Sequence, residues 1–455
     1  MNTKKALLIV SAVALLSCQK DMDIPAPIVD SIQEVALPKI DKESTTLTAD
    51  DAIKVASLYL HRNIRTKSEV MKSVIGVIPI KSENGDVCIF AVNYDDGYAL
   101  ISATKKFYPI LAIIDHGTYT GKGTGTGHDL MVDEYITAIE AAIKGEITIE
   151  DDSWSIYEDI PFESPVKTKV SDEYYEVVNQ YTGDWYQAGY NIYYLNEKPE
   201  NMPDDMYAEF CDYASDYDRR DHNYMSCSFI IEDNYTDARF IGPLCETQWG
   251  QKLPYNSSLS SPLPLGCTTV AAGQIMNYLQ YPTRYQWSSF FRDTDLLYDF
   301  LAELRGNIGV SNSGGADIDD VRSTLINDYG FNASNNWSVN KINHGEGNIT
   351  LSLDNNIPVY MSGVDQYSNK GHAWVCDGYS YVADYTRYSL FVIPMDDEIT
   401  WLKEIESREI YRGSTCLFHM NWGWEGDHDG YFQDYYLYFN REIEGPTDFD
   451  MNPES

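Results

Sequence analysis

The stretch PLPLGCTTVAAGQIMNYL, Pro262 to Leu279, decides how the rest of the chain is read. Two prolines and Gly266 form a loop that delivers Cys267 to the start of an apolar segment, in which Val270, Ala271, Ile275, Met276 and Leu279 suit a buried helix. The thiol then stands at a helix N-terminus, where unpaired backbone N–H groups and the helix dipole favour the thiolate. Such a cysteine is either a buried structural residue or a nucleophile, and other residues have to decide.

Working outward, NIPVYMSGVDQYSNKGHAWVCDGYSY places His372 at the head of an apolar strand after a glycine-bearing loop. A strand-edge histidine suits a general base, although most histidines are hydrogen-bonded core residues. Further on, FHMNWGWEGDHDGYF carries Asn421 among Trp422, Gly423 and Trp424, where its amide could orient an imidazole. An aromatic core strand with a turn over residues 425–430 explains the same pattern. Chain order tips the balance, because Cys, a distant His, then Asn is an arrangement whose members meet in space rather than in sequence.

Four stretches, ETQWGQKLPYN, GCTTVAAGQIMNYLQYP, GHAWVCDGY and NWGWEGDHDGYF, resemble successive motifs of the streptopain family of papain-like bacterial cysteine peptidases. The resemblance runs from about Gly242 to Phe432. It implies an α+β fold with a Cys-bearing helix against an antiparallel sheet. It also implies Cys267 as nucleophile, His372 as base and later acid, and Asn421 as the residue that orients His372. Gln251 would share an oxyanion hole with the cysteine N–H, and Trp422 and Trp424 would shield the His–Asn contact. The implied substrates are proteins or peptides, with no cofactor and no metal. DDAIKVASLYL and GYALISATKKFYPILAII resemble the propeptide or inhibitor-like domain of the family, which implies a zymogen whose partner is its own prodomain.

The local patterns agree with a small α+β domain there. Thr48 and Asp51 form a capping-box pattern ahead of a helix predicted from about Ala49 to Asn63. VIGVIPI, DVCIFAVNY and GYALISA read as antiparallel strands parted by the turn residues ENG and DDG. GKGTGTG, Gly121 to Gly127, lacks the Lys and Ser/Thr of a phosphate loop and reads as a plain loop. His419, His428 and Asp429 show no metal-ligand spacing and read as part of a turn.

At the N-terminus, Lys4 and Lys5 precede an apolar run ending in LLSC. This reads as a lipoprotein signal peptide over residues 1–18, with Cys18 lipidated and the protein anchored at the bacterial cell envelope. Residues 19–44 follow as a tether, 45–140 as the inhibitor-like domain, 141–240 as an acidic, Tyr-rich linker and 241–455 as the peptidase domain. Without Cys18, seven cysteines remain, so at least one thiol is unpaired within the chain. The formal net charge of −37 disfavours nucleic acid and anionic membrane surfaces as partners, leaving membrane contact to the lipid anchor. Two other functions stay open at this stage: a non-catalytic surface lipoprotein that binds glycans or proteins, and a transamidating thiol enzyme.

Overall fold

A computed structural model describes residues 40, 43–62, 72–121, 127–149, 153–159, 191–221, 226–261, 263–333, 337–342, 346–365, 370–394, 403–433 and 448–453. The expected signal peptide, Cys18 and the expected tether up to residue 39 lie outside these residues, as do 122–126 of the glycine-rich loop and 160–190 of the acidic segment.

Helix α1 (Ala49–Arg62) begins where the capping pattern puts it: Asp51 N–H donates to Thr48 Oγ1 at 3.2 Å, and Thr48 N–H donates to Asp51 Oδ2 at 3.0 Å. Two otherwise unpaired backbone donors are thereby satisfied. Strands β1 (Val74–Lys81), β2 (Val87–Tyr94), β3 (Tyr98–Ser102) and β4 (Ile110–Ile114) form an antiparallel meander. Alternation along the strands sends Val92, Ala99 and Ile101 toward α1, and Ile89, Leu100 and Ala112 toward α2 (Gly127–Lys144). The β2–β3 turn requires Gly97, whose φ is 84° and where a Cβ would come within 2.3 Å of the Ile114 carbonyl.

After α3 (Ser155–Asp159), the acidic segment builds β5 (Asn191–Tyr194), α4 (Asp204–Asp221) and β6 (Ser226–Ile241). The C-terminal region then supplies α5 (Cys267–Leu279), a short 3-10 turn at Trp287–Ser289, α6 (Thr294–Ile308) and α7 (Ile318–Asn327). It continues through β7 (Trp337–Ile342), α8 (Glu346–Asp354), β8 (Val359–Asp365), β9 (Lys370–Pro394), β10 (Lys403–Asn421), β11 (Gly430–Phe432) and β12 (Asp448–Pro453).

These strands join one 12-stranded sheet in the order β1-β2-β3-β4-β11-β10-β9-β8-β12-β7, with β6 paired along the outer half of β9 and β5 on β6. The seam between the N-terminal meander and the C-terminal strands is β4 against β11, from Ile114 opposite Gly430 to Ala112 opposite Phe432. The α+β class expected from the sequence holds, with the Cys-bearing helix packed on the antiparallel sheet. Val270, Ala271, Ile275 and Met276 of α5 share a core with Tyr360, Ala373 and Val375 of β8 and β9. Residues 191–241 make a smaller core of their own, where Met202, Phe210, Ala214 and Ile230 pack on Tyr388 and Leu390 of the long β9–β10 hairpin.

The seam gives a stability test. A Cβ at Gly430 would lie 2.5 Å from the Ile113 carbonyl, backbone that cannot yield without parting β4 from β11. Gly430→Ala should cost about 1–3 kcal/mol and lower the unfolding temperature by several degrees. Gly76→Ala, whose Cβ meets nothing within 4 Å, should leave it nearly unchanged, and calorimetry of the two variants checks the contrast.

Candidate active site

The loop before α5 is built to present a thiol. Gly266 caps the helix at φ 89°, and a Cβ there would lie 2.5 Å from the Gly314 carbonyl, so only glycine permits the close approach of the 311–315 turn. Leu265 N–H donates to the Gln251 carbonyl at 2.9 Å, Thr269 Oγ1 donates to the Leu265 carbonyl at 2.8 Å, and Arg305 Nε donates to the Pro264 carbonyl at 2.9 Å. Hydrogen bonds from three places in the chain therefore hold Pro264 and Leu265, the two residues before Gly266.

His372, buried near the start of β9, meets this thiol. Burial pushes the Cys267 thiol up, but the hydrogen bond and charge attraction from His372, with backbone N–H groups of Ala373 and Thr268, outweigh it and leave the thiol below its ordinary range. His372 Nε2 lies 3.0 Å from the Trp422 carbonyl oxygen. A carbonyl can only accept, so Nε2 carries the proton and Nδ1 is the nitrogen left for the thiol. The ring lies nearly parallel to Trp374, 12° between planes at 6.2 Å, and Trp422 flanks it at 6.1 Å.

The role expected of Asn421 needs correction. Its amide is spent elsewhere: Nδ2 donates to the Thr247 carbonyl at 2.7 Å, and Oδ1 accepts from Gln274 Nε2 at 2.9 Å and from Gly423 N–H at 3.2 Å. Asn421 ties the β10 terminus to α5 and shapes the following turn, and the backbone carbonyl of its neighbour takes the imidazole proton. The physical reason is reach. With Asn421 drawn toward Gln274 on the helix, the turn at Gly423 (φ 71°) leaves Trp422 as the residue facing His372.

Gln251 is buried, its carbonyl tied to the nucleophile loop, and its Nε2 has no hydrogen-bond partner among the described residues. A buried donor left unpaired is costly, so it suits a group that arrives with a substrate. Trp422 is almost fully buried against Trp374 and Phe432, whereas Trp424 is partly buried with Lys252 Nζ over its ring at 5.2 Å. His419 pairs with Asp377 at 2.6 Å, and His428 Nδ1 lies 2.8 Å from the Tyr98 hydroxyl. The sequence reading missed Gln274, Asp377 and Gly127. Gln274 alone left a trace there, since it lies two helical turns after Cys267 and so on the same face of α5.

Gly127, the first residue of α2, belongs to the N-terminal part of the chain and touches this site. A Cβ on it would come within 2.5 Å of His372 Cδ2 and 2.2 Å of Trp422 Cε3. The next residue, His128, stacks on His428 at 4.4 Å, and the Tyr98 hydroxyl bridges the two, 2.9 Å from His128 Nε2. Burial and the charge of His128 hold the His428 ring below the usual histidine range.

Against this geometry, comparison with known proteins is specific. Residues 294–432, which include His372 and Asn421 but not Cys267, match the Peptidase C10 family, and residues 44–139 match the Spi protease inhibitor family. The chain is thus similar to C10 peptidases in its C-terminal part and to an inhibitor domain in its N-terminal part. Streptopain from Streptococcus pyogenes serotype M1 is 25% identical over 217 residues, which cover 37% of this chain and 45% of that protein. Streptopain of Streptococcus pyogenes serotype M18 is 24% identical over the same length. The chain thus spans less than half the length of the curated relatives it matches. A mutant prointerpain A fragment from Prevotella intermedia superposes with a TM-score of 0.44 at 17% identity, covering 82% of this chain and 97% of that one.

The pH dependence of the thiol is a direct check on this geometry. Because contact with His372 lowers the thiol below its ordinary range, alkylation of Cys267 by iodoacetamide should already be fast below that range. His372→Ala removes the lowering contributions and leaves burial, so the inflection should move upward. Coincident pH profiles for wild type and His372→Ala would contradict the pairing.

Proposed function

We propose that this protein is a cysteine endopeptidase, secreted as a zymogen and anchored to the bacterial cell envelope through acylated Cys18. The observation that carries the peptidase reading is the lowered Cys267 thiol in contact with an imidazole whose far nitrogen is engaged by the Trp422 carbonyl. The Cys267 thiolate attacks the scissile carbonyl carbon and forms a carbon–sulfur bond, while His372 holds the thiol proton. The displaced electron pair rests on an oxyanion that accepts from the Cys267 N–H at the helix N-terminus and from Gln251 Nε2. Collapse of this intermediate breaks the carbon–nitrogen bond, with His372 giving its proton to the leaving amine. Water activated by the same imidazole then hydrolyses the thioester and frees the thiol.

The zymogen reading rests on Gly127 lying against His372 and Trp422, and on β4 lying beside β11. A domain so placed narrows access to one side of the imidazole and restrains the turn that orients it. A processing cut near Arg239 would split β6 where it pairs with β9, so the cut belongs in the Tyr-rich segment outside β6. Secretion and anchoring are read from the LLSC sequence alone.

A single experiment examines these readings together: mass-spectrometric mapping of peptide-electrophile adducts and of chain termini, in wild type and Cys267→Ala, expressed in a bacterium that processes lipoproteins. Wild type should carry the adduct on Cys267, an acylated N-terminus at Cys18 and a self-made cut in the Tyr-rich segment outside β6. Cys267→Ala should keep the acyl group and lose both adduct and cut. An unlabelled wild type would favour a binding lipoprotein, and amine transfer outpacing hydrolysis would favour a transamidase.

A further inference from the structure

Behind the catalytic pair lies a carboxylate that the peptidase reading leaves unused. After Trp422 the chain passes through Gly423, Glu425, Gly426 and His428, all at positive φ between 60° and 82°, and returns to place Asp429 beneath the residue it left. Asp429 Oδ1 accepts the Trp422 N–H at 2.8 Å, and the carbonyl of that same residue accepts His372 Nε2–H at 3.0 Å. One residue is thus gripped by its amide from below while its carbonyl grips the imidazole above.

We infer that Asp429 is the positioning residue of this site, holding His372 toward Cys267 through the Trp422 backbone. It takes the place that the sequence reading gave to Asn421, whose amide binds Thr247, Gln274 and Gly423 instead. The inference deepens the peptidase reading and rests on it.

The grip depends on charge. A carboxylate holds a backbone N–H more tightly than a neutral carboxyl does, and its negative charge attracts the positive charge that the imidazole takes on with the thiol proton. Burial pushes Asp429 up to about 7; the Trp422 N–H and His419 draw it down, while Asp377 and Asp427 push it up. His419 and Asp377 face it from β10 and β9, where they form their own pair at 2.6 Å. Above about pH 7 the carboxylate is charged and the grip is full; below it, the group is neutral and the grip slackens.

The test uses the full chain and reads the rate of Cys267 alkylation by iodoacetamide between pH 5.5 and 8.5, taken per reactive Cys267 so that misfolded protein does not enter. Asp429→Asn is a neutral isostere at every pH. Wild type should exceed it several-fold just above pH 7, and the two should converge at the acid end. Asp429→Glu, which keeps the charge, should recover much of the alkaline advantage. With a peptide substrate, Asp429→Asn should lower kcat while leaving KM within about twofold, because Asp429 touches no substrate. A wild-type to Asp429→Asn ratio that stays flat across this range overturns the inference, and so does Asp429→Asn matching wild type throughout. Because alkylation needs no peptide hydrolysis, a chain that cleaves nothing still decides the positioning role. Loss of the peptidase reading is seen separately, as absent turnover in wild type.

Discussion

The packing of α5 on β8 and β9 is the constraint from which the site follows. Val270, Ala271, Ile275 and Met276 share a core with Tyr360, Ala373 and Val375, so the helix cannot slide or rotate without exposing apolar surface. Truncating one such core side chain typically costs about 2–5 kcal/mol, which makes the registration of helix on sheet firm. Cys267 begins that helix and His372 stands one residue before Ala373 on that strand. Fixing the interface therefore fixes the distance between thiol and imidazole, and the lowered thiol is its electrostatic result.

Around the pair, backbone groups take much of the orienting work usually left to side chains. The imidazole proton goes to a main-chain carbonyl, and the turn carrying that carbonyl is braced by Asn421 on one side and Asp429 on the other. Backbone acceptors are held by the fold and have no rotamers to lose, so less entropy is spent in keeping them aimed. The cost is that the site depends on an unusual turn, whose positive φ values fall on non-glycine Glu425 and His428 as well as on glycines.

The N-terminal domain is joined to the rest as sheet, through β4 and β11, and as side-chain packing, through Gly127, His128 and Tyr98. Glycine at 127 is a matter of space, since any side chain would occupy the position of the imidazole edge and the Trp422 ring. A similar economy holds in the acidic segment, whose Tyr- and Phe-bearing elements make a second core against the β9–β10 hairpin. On its helix α4, Asp204, Asp205, Glu209 and Asp212 are exposed while Phe210 and Ala214 are buried, so the helix is buried on one side only.

Much of this was legible from residues alone. The capping box at Thr48, the alternating strands and their glycine turns, and the apolar helix after Gly266 are local patterns, and local sterics and hydrogen bonding decide them whatever surrounds them. The order Cys267, His372, Asn421 likewise pointed to a shared site. Tertiary structure alone decided which atoms meet there: that Asn421 turns to Gln274 and Thr247, that the Trp422 carbonyl faces His372, that Asp429 returns beneath it, and that Gly127 comes to rest on the imidazole. It also decided that β6 lies along β9. These are contacts between segments far apart in the chain, set by how helices and sheet pack and by loops at positive φ, and no short window of sequence encodes a partner that only folding brings near.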